Sequence, residues 1–355
     1  MSELGSLLAD TVTRLFTDLV TKELIESSEK GVWPDKLWRA LEEGGLTLPL
    51  VAESAGGAGG TWLDAHVVVR AAGRHAAPVP LAETIVAGAL LSRAGLEVPF
   101  GPLTLAPVHR DERLTLSRSG GSWRVSGTAT RVPWGRAAGH VVTVADVDGA
   151  ATVALIAPSV AKITEDKNLA LEPRDTLVFD NAPVVAAAPA AGVSREAIRL
   201  YGAMVRAAQM AGALDSILDQ GVRYATERKQ FGRPIGNFQA LQHYLAVVAG
   251  HVAASGIAAE LAFRAADRAT EPSASFLDIA VAKIRVGEAA GVSAGLVHQV
   301  HGAIGFTYEH SLHFATRRLW SWRAEFGSES VWAIELGRRV AARGADNLWN
   351  DLTER

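Results

Sequence analysis

Tyr224-Ala225-Thr226-Glu227-Arg228-Lys229-Gln230-Phe231-Gly232-Arg233-Pro234-Ile235 joins two long stretches of helical apolar spacing, and Phe238-Gln239-Ala240-Leu241-Gln242 follows. Arg228, Gln230 and Phe231 set a fixed cation, an amide and an aromatic ring at one helix junction. A guanidinium is a planar fork of donors that suits a phosphate. Gly232 allows a sharp turn, and Pro234 helps end one helix and start another. Taken alone, the run reads as an exposed turn between helices.

Outward from this junction, the segments near 194–227, 236–270, 275–302, 308–325 and 328–350 carry bundle-like apolar spacing. Pro234, Pro272, Gly302 and Gly305 fall at the breaks. Tyr244 to Phe263 is apolar but carries His251 and Glu260, so it reads as a buried bundle helix rather than a membrane span. From about 101 to 190 the period changes. Leu114–Ser117, Trp123–Ser126, His140–Val144, Ala151–Ile156 and Thr176–Phe179 are β-rich runs separated by Gly, Asp and Pro. Pro183, Pro189 and the alanines between them read as a linker. Residues 1 to about 100 are helical again, with Leu7, Leu8, Val12, Leu15, Phe16, Leu19 and Val20 at three- and four-residue spacing. Asp35–Glu43, Trp62–Gly73 and Leu81–Ala94 continue the pattern. Ala55–Gly60 reads as a flexible loop. Without a preceding strand or a following Lys-Ser/Thr, it is not a P-loop. The expected architecture is α+β: an N-terminal helical domain (1–100), a middle β-domain (101–190) and a C-terminal helical bundle (191–355).

The net charge of −3 argues against bulk-charge binding of nucleic acid. The absence of cysteine excludes disulfides, thiolate catalysis and cysteine metal sites, and is compatible with a reducing cytoplasm. The first residues lack a basic run before an apolar core, so no secretory signal or membrane association is expected. His298 and His301, like His310 and His313, stand three apart on helical stretches. They read as structural or solvated histidines, and no metal is expected.

The junction at Arg228–Gly232, together with Gln299-Val300-His301-Gly302-Ala303-Ile304-Gly305-Phe306-Thr307-Tyr308-Glu309, resembles the C-terminal domain of FAD-dependent acyl-CoA dehydrogenases. Leu46–Gly57 resembles the same family's loop of leucine, proline, glutamate and paired glycines. The order helical, β, helical is also that family's. The resemblance implies FAD as cofactor, an acyl-CoA as substrate and an electron-transfer flavoprotein as electron acceptor. The reaction it implies is α,β-dehydrogenation: a carboxylate removes the α-proton and FAD accepts the β-hydride. It further implies that Arg228 and Gln230 contact the FAD diphosphate across a subunit interface, with Phe231 at the adenine end. Gln239, Gln299, Gly302, Ala303 and Ser328 match further cofactor positions; Ala303 stands where a second glycine is common.

The catalytic residues of the family do not carry over. Many members have Tyr-Glu-Gly-Thr where this chain has Ala324-Glu325-Phe326-Gly327-Ser328. Anchored on Gly327-Ser328, the base position is Phe326, which cannot accept a proton. Glu325 lies one residue away, about 100° round a helix, and reads as a surface glutamate. The alternative base position falls at Gly202. Asp215 and Asp219 read as exposed helix residues. No catalytic residue is therefore assigned, Glu325 being the weak candidate. In the β-domain, Arg131 and Pro133 stand at a tryptophan and a threonine of the family, and Pro133 has no N–H to offer a flavin. Trp134 reads more simply as a core or surface tryptophan than as a substitute for the lost ring.

A retained phosphate-gripping half and an eroded flavin half resemble the non-catalytic subunit of heterotetrameric acyl-CoA dehydrogenases of actinobacterial sterol side-chain degradation. The expected assembly is α2β2 with a homologous subunit that supplies the base. A homomeric enzyme with an atypical base, a flavin oxidase or monooxygenase, and a flavin-free scaffold remain as alternatives.

Overall fold

Three of the N-terminal helices start at a residue whose hydroxyl accepts from a free amide, and two follow a proline. The Ser2 hydroxyl accepts from the Gly5 amide to open α1 (Glu3–Leu19), whose Leu8, Val12 and Phe16 form the buried stripe. Thr21 caps α2 (Lys22–Glu29), and Pro34 precedes α3 (Asp35–Glu43). Thr61 and Asp64 form a capping box on α4 (Trp62–Arg74), and Pro80 precedes α5 (Leu81–Arg93). The computed structural model describes residues 2–353. The glycine-rich segment before α4 is a compact turn and not a flexible loop: the amides of Ala58, Gly59 and Gly60 donate back to Leu48, Val51 and Pro49.

The middle region holds β1 (Leu103–Leu105), β2 (Leu114–Ser119), β3 (Ser122–Pro133), β4 (His140–Val147), β5 (Ala150–Ile156), β6 (Lys162–Thr164), β7 (Arg174–Pro183) and β8 (Ala186–Pro189). They form two four-stranded sheets, ordered β1-β4-β5-β8 and β2-β3-β7-β6, with only the β1–β4 pair parallel. Alternation along β4 and β5 explains how this unit is fixed in place. Val141, Ala145, Ala154 and Ile156 pack between the sheets, whereas Val142, Val144, Val153 and Leu155 join the main helical core. The alanine segment read as a linker is instead β8, an edge strand on β5. Pro189 is tolerated there because it sits at the end of an edge strand.

The C-terminal region is built on α6 (Ala197–Glu227), which is buried almost all round up to Leu214. After a two-strand hairpin, β9 (Lys229–Gln230) and β10 (Arg233–Pro234), come α7 (Gln239–Arg268), α8 (Phe276–His301), α9 (Leu312–Ala324), α10 (Glu329–Arg343) and α11 (Leu348–Thr353). The reading of Tyr244–Phe263 as a buried helix needs correction. Val248, Val252, Ala259 and Phe263 face the bundle, but Val247, Ile257 and Leu261 are 47%, 61% and 47% exposed. The apolar residues of α7 cover more of its circumference than the bundle does. By length and composition α7 is apolar enough to cross a membrane, yet here its inner face packs on α6 and α8.

Candidate functional site

The hairpin after α6 is open. The Ile235 amide donates to the Arg228 carbonyl at 2.8 Å and closes it, and Phe231 sits at its tip with φ +51°. The Phe231 ring is 90% exposed and meets Phe238 edge-on. Among the described residues the Arg228 guanidinium has no hydrogen-bond or ion-pair partner. Ile235 packs with Ala225 and Val300 in a small apolar cluster that also takes in Tyr224, Phe238, Leu241 and Leu245. That cluster brings the end of α8 beside the hairpin. Arg228, Gln230, Phe231 and Gln239 thus share one end of the bundle with Gln299, Gly302 and Ala303, all exposed. Gly302 ends α8 at φ 62°, ψ −145°, a conformation open essentially to glycine alone. Ser328 belongs elsewhere: it precedes α10 and lines an interdomain cavity.

The histidines lie behind this surface. His301 stacks on Tyr224, with ring centroids 4.5 Å apart, and meets His310 at 4.7 Å. Burial lowers the pKa of His298, His301, His310 and His313, which favours neutral rings in this cluster. Among the described residues no group of three or more His, Asp or Glu is placed to hold a metal ion.

The second place is the α9–α10 turn. Phe326 adopts φ +55°, an outlying conformation for a bulky residue, and its carbonyl accepts from Trp332 Nε1 at 3.0 Å. The turn drives the ring onto α6 at Gly202, where a Cβ would stand 2.3 Å from Phe326 Cε1. The two positions where the resemblance places a base are therefore in contact with each other, and neither carries a carboxylate.

Glu325 is not the surface glutamate expected. Its carboxylate accepts from Arg174 Nε and Arg206 Nε, each at 2.6 Å. Arg206 also reaches Glu83 and Gln209. Arg174 pairs with Glu172, which accepts from Trp322 Nε1 and Asn168 at 2.9 Å and faces Arg318. Burial alone would push the Glu325 carboxyl up; Arg174 and Arg206 overcome this and hold it down at about 2. A carboxylate so firmly ionised and so fully hydrogen-bonded is a poor proton acceptor. Asp215 and Asp219 are likewise engaged, by Arg70 and Arg74, and only Asp219 is well exposed. The network escaped the sequence reading, although Arg206 inside the apolar run of α6 was a signal for it.

Known proteins place this geometry. The model of the acyl-CoA dehydrogenase C-terminal domain matches residues 193–341, and that of the N-terminal domain matches residues 2–97. The chain belongs to the acyl-CoA dehydrogenase family.

Among its relatives is the acyl-CoA dehydrogenase FadE34 of Mycobacterium tuberculosis, 33% identical over 89% of this chain. This chain spans 44% of FadE34. The ChsE4-ChsE5 complex of Mycobacterium tuberculosis contains a chain that superposes with a TM-score of 0.86 at 25% identity, covering 96% of this chain and 98% of that one. The steroid acyl-CoA dehydrogenase Tcur3481-Tcur3483, as its G363A variant, gives 0.84 at 26% identity over 95% and 98%.

Acyl-CoA dehydrogenases are FAD-dependent. The hairpin surface fits the phosphate end of FAD: a free guanidinium, an exposed aromatic ring and a glycine-only backbone bend converge on open space. The β-domain side does not fit a flavin ring. The Pro133 carbonyl is taken by the Thr104 hydroxyl, Arg131 stands where the resemblance expects a tryptophan, and Trp134 is buried edge-on against Trp33.

Proposed function

We propose that this chain is the non-catalytic-type subunit of a heteromeric, FAD-dependent acyl-CoA dehydrogenase acting on a bulky, steroid-derived acyl-CoA. The observation that carries this reading is the contact between Phe326 and Gly202, with Glu325 committed to two arginines. A chain without an available carboxylate needs a partner that has one. The ChsE4-ChsE5 and Tcur3481-Tcur3483 pairs supply the precedent for unlike subunits, and the latter for a steroid substrate.

FAD, when bound, supplies the two-electron acceptor for dehydrogenation. In this reading the chain positions it. Arg228 donates to the diphosphate, with Gln230 and Gln239 beside it. Phe231 packs on the adenine end, and the bend at Gly302 lets the Gln299–Ala303 backbone come close. Ser328 lines a different surface and does not join these contacts. The partner subunit supplies the flavin-ring contacts and removes the α-proton. An electron-transfer flavoprotein takes the electrons onward.

The test is turnover of a steroid-derived acyl-CoA with an artificial electron acceptor. The chain alone is expected to be inactive, and addition of a carboxylate-bearing homologous subunit should restore activity. Robust turnover by the purified homomer would sink the proposal.

A further inference from the structure

The interdomain cavity of this chain, about 780 Å³, is lined by four arginines: Arg110, Arg131, Arg199 and Arg338. Its lining carboxylates are Asp111 and Glu325. Glu325 is already matched by Arg174 and Arg206. Arg110 and Arg199 are matched by Glu335, and Arg199 also by Glu196. Arg131 and Arg338 have no acceptor among the described residues, and Asp111 pairs with neither.

Arg131 is aimed by the backbone. The β3–β7 register shifts between Ala129 and Val132, and Arg131 sits in that bulge at φ +54°. A bulge redirects a side chain, and a non-glycine residue at positive φ persists where its surroundings hold it there. Val108, Pro133, Phe326 and Val331 give the cavity an apolar wall, with His109 and Ser328 also on its lining. Two free guanidinium forks beside an apolar wall match a phosphate oxyanion carried on an organic body.

We propose that this cavity binds a phosphate or diphosphate ligand, in the space where a catalytic subunit would hold a flavin ring. The inference rests on the reading that this chain holds no flavin ring of its own. The Arg131 and Arg338 forks take the phosphate oxygens, and Phe326 floors the cavity below the attached body.

The test is calorimetric titration of inorganic pyrophosphate into the FAD-loaded complex, where the Arg228 surface is already covered. Saturable binding at one site per copy of this chain is expected. Arg131→Ala and Arg338→Ala should each weaken it by about tenfold or more. Arg131→Lys, which keeps the charge but not the fork, should recover part of the affinity and show that the variants remain folded. No saturable binding, or binding unchanged in the Arg131→Ala/Arg338→Ala double variant, overturns the proposal. Flavin content, measured on the same sample, separates the two ideas. Flavin equal to the total number of subunits defeats the subunit reading itself, while half that content without pyrophosphate binding defeats only this inference.

Discussion

The ring of Phe326 lies on the backbone of Gly202, so closely that a Cβ at Gly202 would stand 2.3 Å from Cε1 and 2.4 Å from Cδ1. The two residues depend on each other: the glycine makes room for the ring, and the ring fills the space over the glycine. In an exposed helix interior, Gly→Ala gains up to about 1 kcal/mol. Here overpacking should outweigh that gain and destabilise the chain by about 1–3 kcal/mol. In a Phe326→Ala background the clash is gone, and Gly202→Ala should turn neutral or stabilising. Denaturant unfolding of the four members of this cycle measures the sign change. Equal effects of Gly202→Ala in both backgrounds would contradict the contact.

Glu325 should be structural. Removing one member of a buried ion pair leaves its partners uncompensated and typically costs about 3–5 kcal/mol, so Glu325→Gln should lower stability by that order. The carboxyl is held down at about 2, against an ordinary 4.5. Its contribution is present above pH 4.5 and is lost as pH falls through 2. Acid titration of unfolding should therefore show a slope in that window that Glu325→Gln reduces. A Glu325→Gln variant as stable as the parent at pH 7 would return Glu325 to the list of candidate bases.

The same region holds Lys283, whose ammonium donates to the carbonyls of Trp322 and Arg323 at 3.2 and 3.0 Å. Burial lowers it from 10.5 to about 7, a shift that Glu325 opposes and Arg206 supports. Between pH 7 and 10.5 the unfolded chain therefore holds more protons than the folded one, so this group makes stability rise with pH. Lys283→Met should remove that rise. Chemical unfolding at pH 7 and pH 9 checks the difference, and identical pH slopes in parent and variant would refute it.

Much of this was legible in the sequence because it is local. Apolar spacing marked α6 to α10, and β-rich runs marked β2 to β5 and β7. The Arg228–Gly232 junction and the bend at Gly302 were readable because turns need particular residues. What escaped was non-local. Glu325 looked like a surface residue because its partners, Arg174 and Arg206, are 151 and 119 residues away in sequence. The strand Ala186–Pro189 looked like a linker because alanine has little β preference, and only pairing with β5 makes it a strand. The free apolar face of α7 could not be separated from its core face, since both have helical spacing.

Arg228 should be a cofactor contact. Charge-assisted hydrogen bonds contribute about 1.5–3 kcal/mol, so Arg228→Ala should weaken FAD binding to the assembled complex roughly ten- to a hundredfold. FAD titration of the apo complex measures this. Unchanged affinity would remove Arg228 from the site.

The flavin content of the co-purified assembly tests the central claim most directly. On the proposed reading, each FAD takes its phosphate half from this chain and its flavin half from another subunit. Native mass measurement with flavin quantification should give an α2β2 assembly with one FAD for each pair of unlike subunits. One FAD per subunit, or a stable flavin-loaded assembly of this chain alone, would contradict the account.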